Sequence, residues 1–295
     1  MPELPEMQAL SERLEALLAG ATLERADLLG FSSLKTYAPT PDSLVGHQLM
    51  SVGRRAKYLV FTFDDGNRIV VHLSQAGRLD IEDPPKKTKP RGSVARLTFT
   101  TDPASAPGSD ADSRGGDTVA LLVREHGTQR KASWWVLAPD DEGPLADLGP
   151  EPGSPEFAEF IRTSTSKRHL TTDLRDQHTV SGIGRGWGDD ILHRAKLSPF
   201  ASLRSLSPEQ REDLIEAAVD VLHEALELER TREGGLSEGK LGGRFKVHNR
   251  VGQPCPTCGD EFERVSFESY EMSYCPTCQT GGKVLADRRL SRLLK

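Results

Sequence analysis

The residues with the most chemical potential stand at the start of the chain, Met1-Pro2-Glu3-Leu4-Pro5-Glu6-Met7. Once Met1 is removed, Pro2 presents a free secondary amine. An α-amino group titrates near about 7.7–8.0, well below the lysine value of about 10.4, so an appreciable fraction is unprotonated and nucleophilic at neutral pH. Such an amine attacks an aldehyde or a sugar C1′ and leaves an iminium ion. Glu3 and Glu6 are close enough in sequence to set a carboxylic acid and a carboxylate beside it. The same residues also read as an ordinary helix start, with Pro5 in the first turn and acids at the positive end of the helix dipole. On this stretch alone both readings stay open.

A second constellation is Cys255-Pro-Thr-Cys258 with Cys275-Pro-Thr-Cys278, a C-x2-C-x16-C-x2-C spacing that falls within that of four-cysteine zinc sites. Four thiolates fill a tetrahedral shell and leave no open position, so the predicted zinc is structural rather than catalytic. Two disulfides are the alternative, and a cytoplasmic compartment disfavours them. His248 lies close in sequence but is surplus as a ligand. A third stretch, Ser181-Gly182-Ile183-Gly184-Arg185-Gly186-Trp187-Gly188, lacks the G-x-G-x-x-G spacing and follows a helical segment rather than a strand. It is therefore no dinucleotide fingerprint. A glycine-rich hairpin between helices instead lets backbone amides and a helix N-terminus approach phosphate, with Arg185 at the tip adding charge. Arg54-Arg55-Ala56-Lys57-Tyr58-Leu59 sets three cations at the start of a strand, by default a solvated charge run. His72-Leu73-Ser74-Gln75-Ala76-Gly77 ends a strand in a short polar loop and by itself means little.

Periodicity supplies the elements that must position these residues. Met7, Leu10, Leu14, Leu17 and Leu18 recur at helical spacing over 6–19 and stop at Gly20. Strand patterns follow at 44–52, 57–63 and 68–73, the last two joined by the turn Asp64-Asp65-Gly66-Asn67, and again at 95–100, 118–124 and 134–137. Between two of them the low-complexity stretch 102–117 cannot bury a core and reads as a flexible insertion at a hairpin tip. Proline, glycine and acid dominate 139–155, the composition of a linker. Helical patterns then occupy 155–163, 170–176, 188–195 and 208–230, the last with Leu214, Ile215, Ala218, Val221, Leu222, Ala225 and Leu226 on one stripe. The predicted fold is α+β: an N-terminal helix plus β-sandwich over 1–138, a linker over 139–155, a helical domain over 156–243, a zinc finger over 244–279 and a basic tail over 280–295.

The 295 residues suffice for two domains with sizeable cores, and 28% charged against 36% hydrophobic residues describe a soluble globular protein. No apolar run approaches membrane-spanning length and the acidic start is not that of a signal peptide, so no membrane partner and a cytoplasmic place are expected. The net charge of −6 argues mildly against nucleic acid. Its distribution weakens that objection, because acids gather in 102–117 and 140–156 while Lys283, Arg288, Arg289, Arg292 and Lys295 crowd the C-terminus.

In order along nearly the whole chain, the PELPE start, the RRAKYL segment, the glycine hairpin, and Val247-His248-Asn249-Arg250 leading to Pro254-Cys255 and ending in Cys278-Gln279 resemble the formamidopyrimidine-DNA glycosylase and endonuclease VIII family of DNA repair enzymes. The resemblance implies a β-sandwich joined to a helix-two-turn-helix domain with a zinc finger, one structural zinc, a monomer, and damaged double-stranded DNA as partner, close to the nucleoid if the source is bacterial. It implies that Pro2 is the nucleophile at C1′ of a damaged nucleotide and that Glu3 is the acid and base at the sugar. Glu6 matches the carboxylate that orders the nucleophile's surroundings, and Lys57 the lysine that grips a backbone phosphate. The activity implied is that of a bifunctional DNA glycosylase and apurinic/apyrimidinic lyase on oxidised or ring-opened bases. A glycosylase for bulky or cross-linked adducts and a catalytically inactive DNA-binding member are the other readings.

Several positions depart from the family's pattern. Arg185 replaces the usual asparagine of the glycine hairpin, and Gln75 stands at the void-filling methionine of the formamidopyrimidine branch. The loop that usually contributes an arginine and a phenylalanine wedge, here 126–131, offers Thr128, Gln129 and Arg130 without an aromatic. Ser269 takes the place of an arginine six residues before the third cysteine, so phosphate gripping is expected from Lys283 or the basic tail.

Overall fold

The chain opens on helix α1 (Leu4–Leu18) in the computed structural model, which describes residues 2–101, 117–127, 131–232, 243–266 and 271–286. The helix starts two residues before the apolar period does, because Glu3 is its N-cap and Pro5 occupies the first turn, where a missing N–H costs nothing. Met7, Leu14 and Leu18 form its buried stripe.

Two four-stranded antiparallel sheets follow. One has the order β1-β6-β7-β5, formed by β1 (Thr22–Leu28), β5 (Gly77–Glu82), β6 (Ser93–Thr101) and β7 (Asp117–Glu125). The other has the order β2-β3-β4-β8, formed by β2 (Leu49–Arg55), β3 (Tyr58–Phe63), β4 (Arg68–His72) and β8 (Ser133–Leu137). One apolar core takes Leu23, Leu97, Phe99 and Leu121 from the first sheet, Phe61, Ile69, Val71 and Trp134 from the second, and the stripe of α1. This is the β-sandwich expected.

Two strands escape the sequence pattern. In β1 a register shift between Leu23 and Arg25 breaks the alternation, and the strand carries Glu24, Arg25 and Asp27. β5 keeps a period of two only as far as Asp80. The strand expected over 44–52 begins only at Leu49, because the chain first makes a 3-10 turn (Pro41–Leu44) and passes through Gly46 at φ +90°, where a strand cannot run. The low-complexity stretch lies outside the described residues apart from Asp117, and the strands that flank it pair up to Thr101↔Asp117.

The described residues divide into two compact units at Ala146 and again at Leu228. The second unit holds α2 (Pro155–Thr163), α3 (Leu170–Asp173), α4 (Arg185–Arg194), most of α5 (Pro208–Arg230), the hairpin of β9 (Glu263–Ser266) and β10 (Glu271–Tyr274), and α6 (Pro276–Thr280). Ser154 caps α2 by accepting the Phe157 N–H at 3.1 Å. The helix expected from residue 188 begins three residues earlier, at Arg185, and takes Gly186 and Gly188 into its first turn. Gly186 is there for space: a Cβ at this position would lie 2.1 Å from the Phe245 ring.

Candidate active site and zinc centre

Pro2 is half-buried immediately before α1, and Glu3 beside it is only 5% exposed. The Glu3 backbone N–H donates to the Glu6 carboxylate at 2.8 Å, the acid half of a capping box. Glu6 therefore holds the backbone directly after Pro2, so the direction in which the proline nitrogen points is set by a helix cap rather than by a free tail. In the same unit Gln8, one turn along α1, accepts from Arg54 Nε at 2.8 Å, and Glu15 accepts the Val52 N–H. These two bonds fasten α1 along β2 and bring the PELPE start and the RRAKYL segment onto one scaffold.

Arg55 pairs with Tyr58 across the β2–β3 hairpin, which leaves Ala56 and Lys57 as its two-residue turn, with Ala56 at φ +51°. Lys57 is 4% exposed. A buried ammonium is a costly group that proteins keep only where it is engaged, and it sets this lysine apart from a solvated charge run. The next strand carries a residue that sequence reasoning passed over. His72 is paired with Tyr58, their rings 4.7 Å apart, and it titrates low, at about 4, pushed there first by burial and then by the Lys57 cation. The register comes from a three-residue loop, Asp64-Asp65-Gly66, closed by the Phe63 N–H on Asn67 O, which sets 58 opposite 72; the four-residue turn read from the sequence would have set it opposite 73.

A neutral His72 makes a sharp prediction. NMR titration of the intact protein should place its pKa near 4, and Lys57→Met should raise it toward the ordinary 6.5 by removing the neighbouring cation. Because the unfolded chain takes up this proton below about 6.5 and the folded chain only near about 4, His72 costs stability as pH falls through that window. A native pKa near 6.5 would contradict the arrangement.

Gln75 is exposed at the apex of the tight turn between β4 and β5. Leu73 O accepts the Gly77 N–H at 2.9 Å, Ser74 takes φ +55°, and a Cβ on Gly77 would sit 2.0 Å from Leu73 O. The turn tolerates only glycine at 77 and holds Gln75 outward on a rigid base. A cleft of about 630 Å³ in this unit is lined by Phe31, Lys89, Arg91 and Glu125, among others, but by none of Pro2, Glu3, Glu6, Lys57 or Gln75. Arg130 and Ser269 lie outside the described residues.

In the second unit Arg185 is exposed at the first position of α4, with Gly184 as the N-cap, so its cation stands at the positive end of that helix dipole. Further along α4, Asp189 and Asp190 are buried and face the cysteine module. Asp189 Oδ2 meets His248 Nδ1 at 2.7 Å and accepts the Ser273 N–H at 3.1 Å. Burial pushes Asp189 up to about 6, while the His248 ring and the Ser273 amide pull it back down. Asp190 accepts the N–H groups of Lys246, Val247 and His248 at 2.7, 3.0 and 3.2 Å. His248 is thus committed to a carboxylate, as its surplus status among the zinc donors requires.

The four cysteine sulfurs converge. Cys255 Sγ lies 3.9 Å from Cys278 Sγ and Cys258 Sγ 3.4 Å from Cys275 Sγ, with all four thiols free. The Thr257 N–H points at Cys255 Sγ at 3.4 Å and the Cys278 N–H at Cys275 Sγ at 3.5 Å, amide support that suits thiolates. Four soft donors at these separations fit a tetrahedral zinc. Sequence reasoning did not find a further donor here. His193, on α4, places Nε2 3.2 Å from Cys255 Sγ, within 4.8 Å of the Cys275 and Cys278 sulfurs too. No local signal marked it, because Ile191 and Leu192 are flanked in α4 by Asp189, Asp190 and Arg194 and the histidine reads as one more polar residue. Lys283 is exposed just after α6, where its N–H donates to Thr280 O at 3.3 Å.

Comparison with known proteins agrees with this geometry. Residues 1–114 match the formamidopyrimidine-DNA glycosylase N-terminal domain, 148–234 the formamidopyrimidine-DNA glycosylase H2TH domain, and 252–281 the zinc finger found in FPG and IleRS. The formamidopyrimidine-DNA glycosylase of Thermus thermophilus is 33% identical over 96% of this chain and 100% of its own. The chain belongs to the formamidopyrimidine-DNA glycosylase family. Its cysteine module is that family's structural zinc finger. An uncharacterized formamidopyrimidine-DNA glycosylase-like protein of Mycobacterium tuberculosis is 42% identical over 50% of this chain and 94% of its own. The fold is that of a Lactococcus lactis FPG mutant crystallised with DNA containing Fapy-dG, at a TM-score of 0.78 and 22% identity over 95% of this chain and 100% of that one. Among the described residues no helix is long and apolar enough to cross a membrane.

Proposed function

We propose that this family member is a bifunctional DNA glycosylase and apurinic/apyrimidinic lyase that excises oxidised or ring-opened bases from double-stranded DNA. The observation that carries the reading is the start of α1, where a half-buried Pro2 precedes a buried Glu3 whose backbone is held by Glu6. With Met1 removed, the Pro2 nitrogen attacks C1′, the glycosidic bond breaks, and its electron pair leaves with the base. Glu3 donates a proton at the opening sugar and later removes one from C2′, which the iminium has acidified. Loss of that proton expels the 3′ phosphate and cuts the strand.

The remaining roles belong to the same proposal. Lys57 and the neutral His72 beside it offer donors to a phosphate next to the lesion. The target must be flipped from the stack to reach Pro2, and Gln75 on its rigid turn fills the vacancy, bonding the estranged base but covering less apolar surface than a methionine. Arg185 and Lys283 grip backbone phosphates, and the family resemblance gives Arg130 a part in DNA binding as well. The chemistry resides in residues 1–138, DNA is held by 156–243 and the finger over 244–279, and the enzyme works as a cytoplasmic monomer.

Duplex oligonucleotides with single defined lesions test the reading. We expect base release and strand scission at an oxidised or ring-opened base, and scission at an abasic site without prior base loss. Tight binding to damaged duplexes with no release and no scission on any substrate would leave a DNA-binding family member without catalysis.

A further inference from the structure

The zinc centre has more to satisfy than four sulfurs. A divalent cation with four thiolates carries a net charge of −2, and two of its sulfur ligands belong to residues almost wholly buried, Cys255 at 3% and Cys275 at 0% exposure. Charge held away from water calls for hydrogen-bond donors aimed at it, and around metal sites such donors also fix the direction of the ligands. Cys275 has the Cys278 amide and Cys255 the Thr257 amide. Cys255 has a second neighbour of a different kind. His193, 8% exposed, reaches it with Nε2 at 3.2 Å, and its ring sits edge-on to Phe262 at 5.7 Å. Phe262 is itself packed with Val247, Cys255 and Cys275 in the core of the finger.

His193 also lies one turn after Asp189 on α4, and residues four apart share a helix face. That face grips the finger twice. Asp189 takes the Ser273 amide of β10 and the His248 ring, and His193 takes the first knuckle sulfur. The same helix begins at Arg185, so the clamp couples the metal site to the glycine hairpin at the other end of α4.

We propose that His193 is a positioning residue of the zinc centre: as its Nε2–H tautomer it donates a hydrogen bond to the Cys255 thiolate and pins the first zinc knuckle to α4. The donor role leaves the metal with four sulfur ligands. It does not depend on Pro2 chemistry, so it stands or falls apart from the lyase reading.

The first test needs no substitution. In the zinc-loaded protein, 1H–15N spectra should show the His193 proton on Nε2. Finding it on Nδ1 overturns the proposal. Second, zinc transfer to a chromogenic chelator is timed for the wild type, His193→Phe and His193→Gln. We expect zinc affinity to fall about 10–100-fold in the phenylalanine variant, with partial recovery in glutamine, which keeps an N–H. Equal retention in all three overturns it. Third, cobalt replaces zinc. A four-sulfur spectrum in the wild type, retained with shifted charge-transfer bands in His193→Phe, supports the donor role. A three-sulfur, one-nitrogen spectrum that survives Cys258→Ser makes His193 a metal ligand instead and refutes it.

Discussion

Replacing Pro2 by glycine should remove most of the covalent chemistry while leaving the fold untouched. Glycine keeps an α-amine, but a primary one on a flexible residue, without the fixed ring that aims the proline nitrogen. We expect borohydride trapping on abasic-site DNA and single-turnover strand cleavage to fall on the order of 10²–10⁴-fold, as for a group that takes part directly in the bond changes. Gln75→Ala should cost far less, because it removes a filler of the stack and no reacting atom. Glu6 has an intermediate place, since it acts on the Glu3 backbone through one hydrogen bond of 2.8 Å. Equal trapping by wild type and Pro2→Gly would move the nucleophile elsewhere.

Loss of zinc should have the other large effect, and for a reason visible in the finger's core. Around the metal that core consists of Val247, Phe262 and three of the cysteines themselves, Cys255, Cys275 and the half-buried Cys278, and the hairpin adds only Val265, Met272 and Tyr274, with Phe200 and Leu285 packed against them. So small an apolar cluster cannot fold alone, and the metal supplies the missing free energy, on the order of 10–16 kcal/mol for structural sites of this type. Cys275→Ser, or a strong chelator, should abolish zinc retention and hydrogen-exchange protection of β9 and β10. Helices α2 and α5 should keep theirs, being built on Phe157, Ile161, Leu214 and Ala218. Binding to damaged duplexes should fall with the finger. A chelated protein with a protected hairpin and unchanged DNA affinity would show that the metal is dispensable.

The parts of this molecule that were legible in the sequence are those written in local spacing. The cysteine pairs announce their metal because two C-x2-C turns leave few other uses for four thiols in one short segment. Helix α5 announces itself through a long apolar stripe, and the sandwich through alternating strands with an Asp-Asp-Gly-Asn turn. Strand β1 stayed hidden because Glu24, Arg25 and Asp27 and the register shift at Leu23/Arg25 obscure its alternation. His193 stayed hidden for a different reason. It meets Cys255 across 62 residues of sequence, and nothing local marks one histidine in a short, charge-rich helix as facing a sulfur. His72 lies between these cases, since the sequence shows the β3–β4 hairpin but misses its register by one residue, and neither the burial of His72 nor its nearness to the Lys57 cation is written in local spacing. The opening heptapeptide was ambiguous between a helix start and a nucleophile. The structure shows the helix start, with Glu6 capping α1 by holding the Glu3 amide next to Pro2, and the nucleophile belongs to the proposed function.

The central claim is that the Pro2 nitrogen becomes covalently bound to the sugar. It is tested most directly by peptide mass spectrometry of the species trapped with borohydride on abasic-site DNA. The expected result is a peptide that begins at Pro2, without Met1, and carries the reduced deoxyribose remnant on the proline nitrogen. A remnant mapped to Lys57 or any other lysine, or an active preparation that retains Met1, would contradict it.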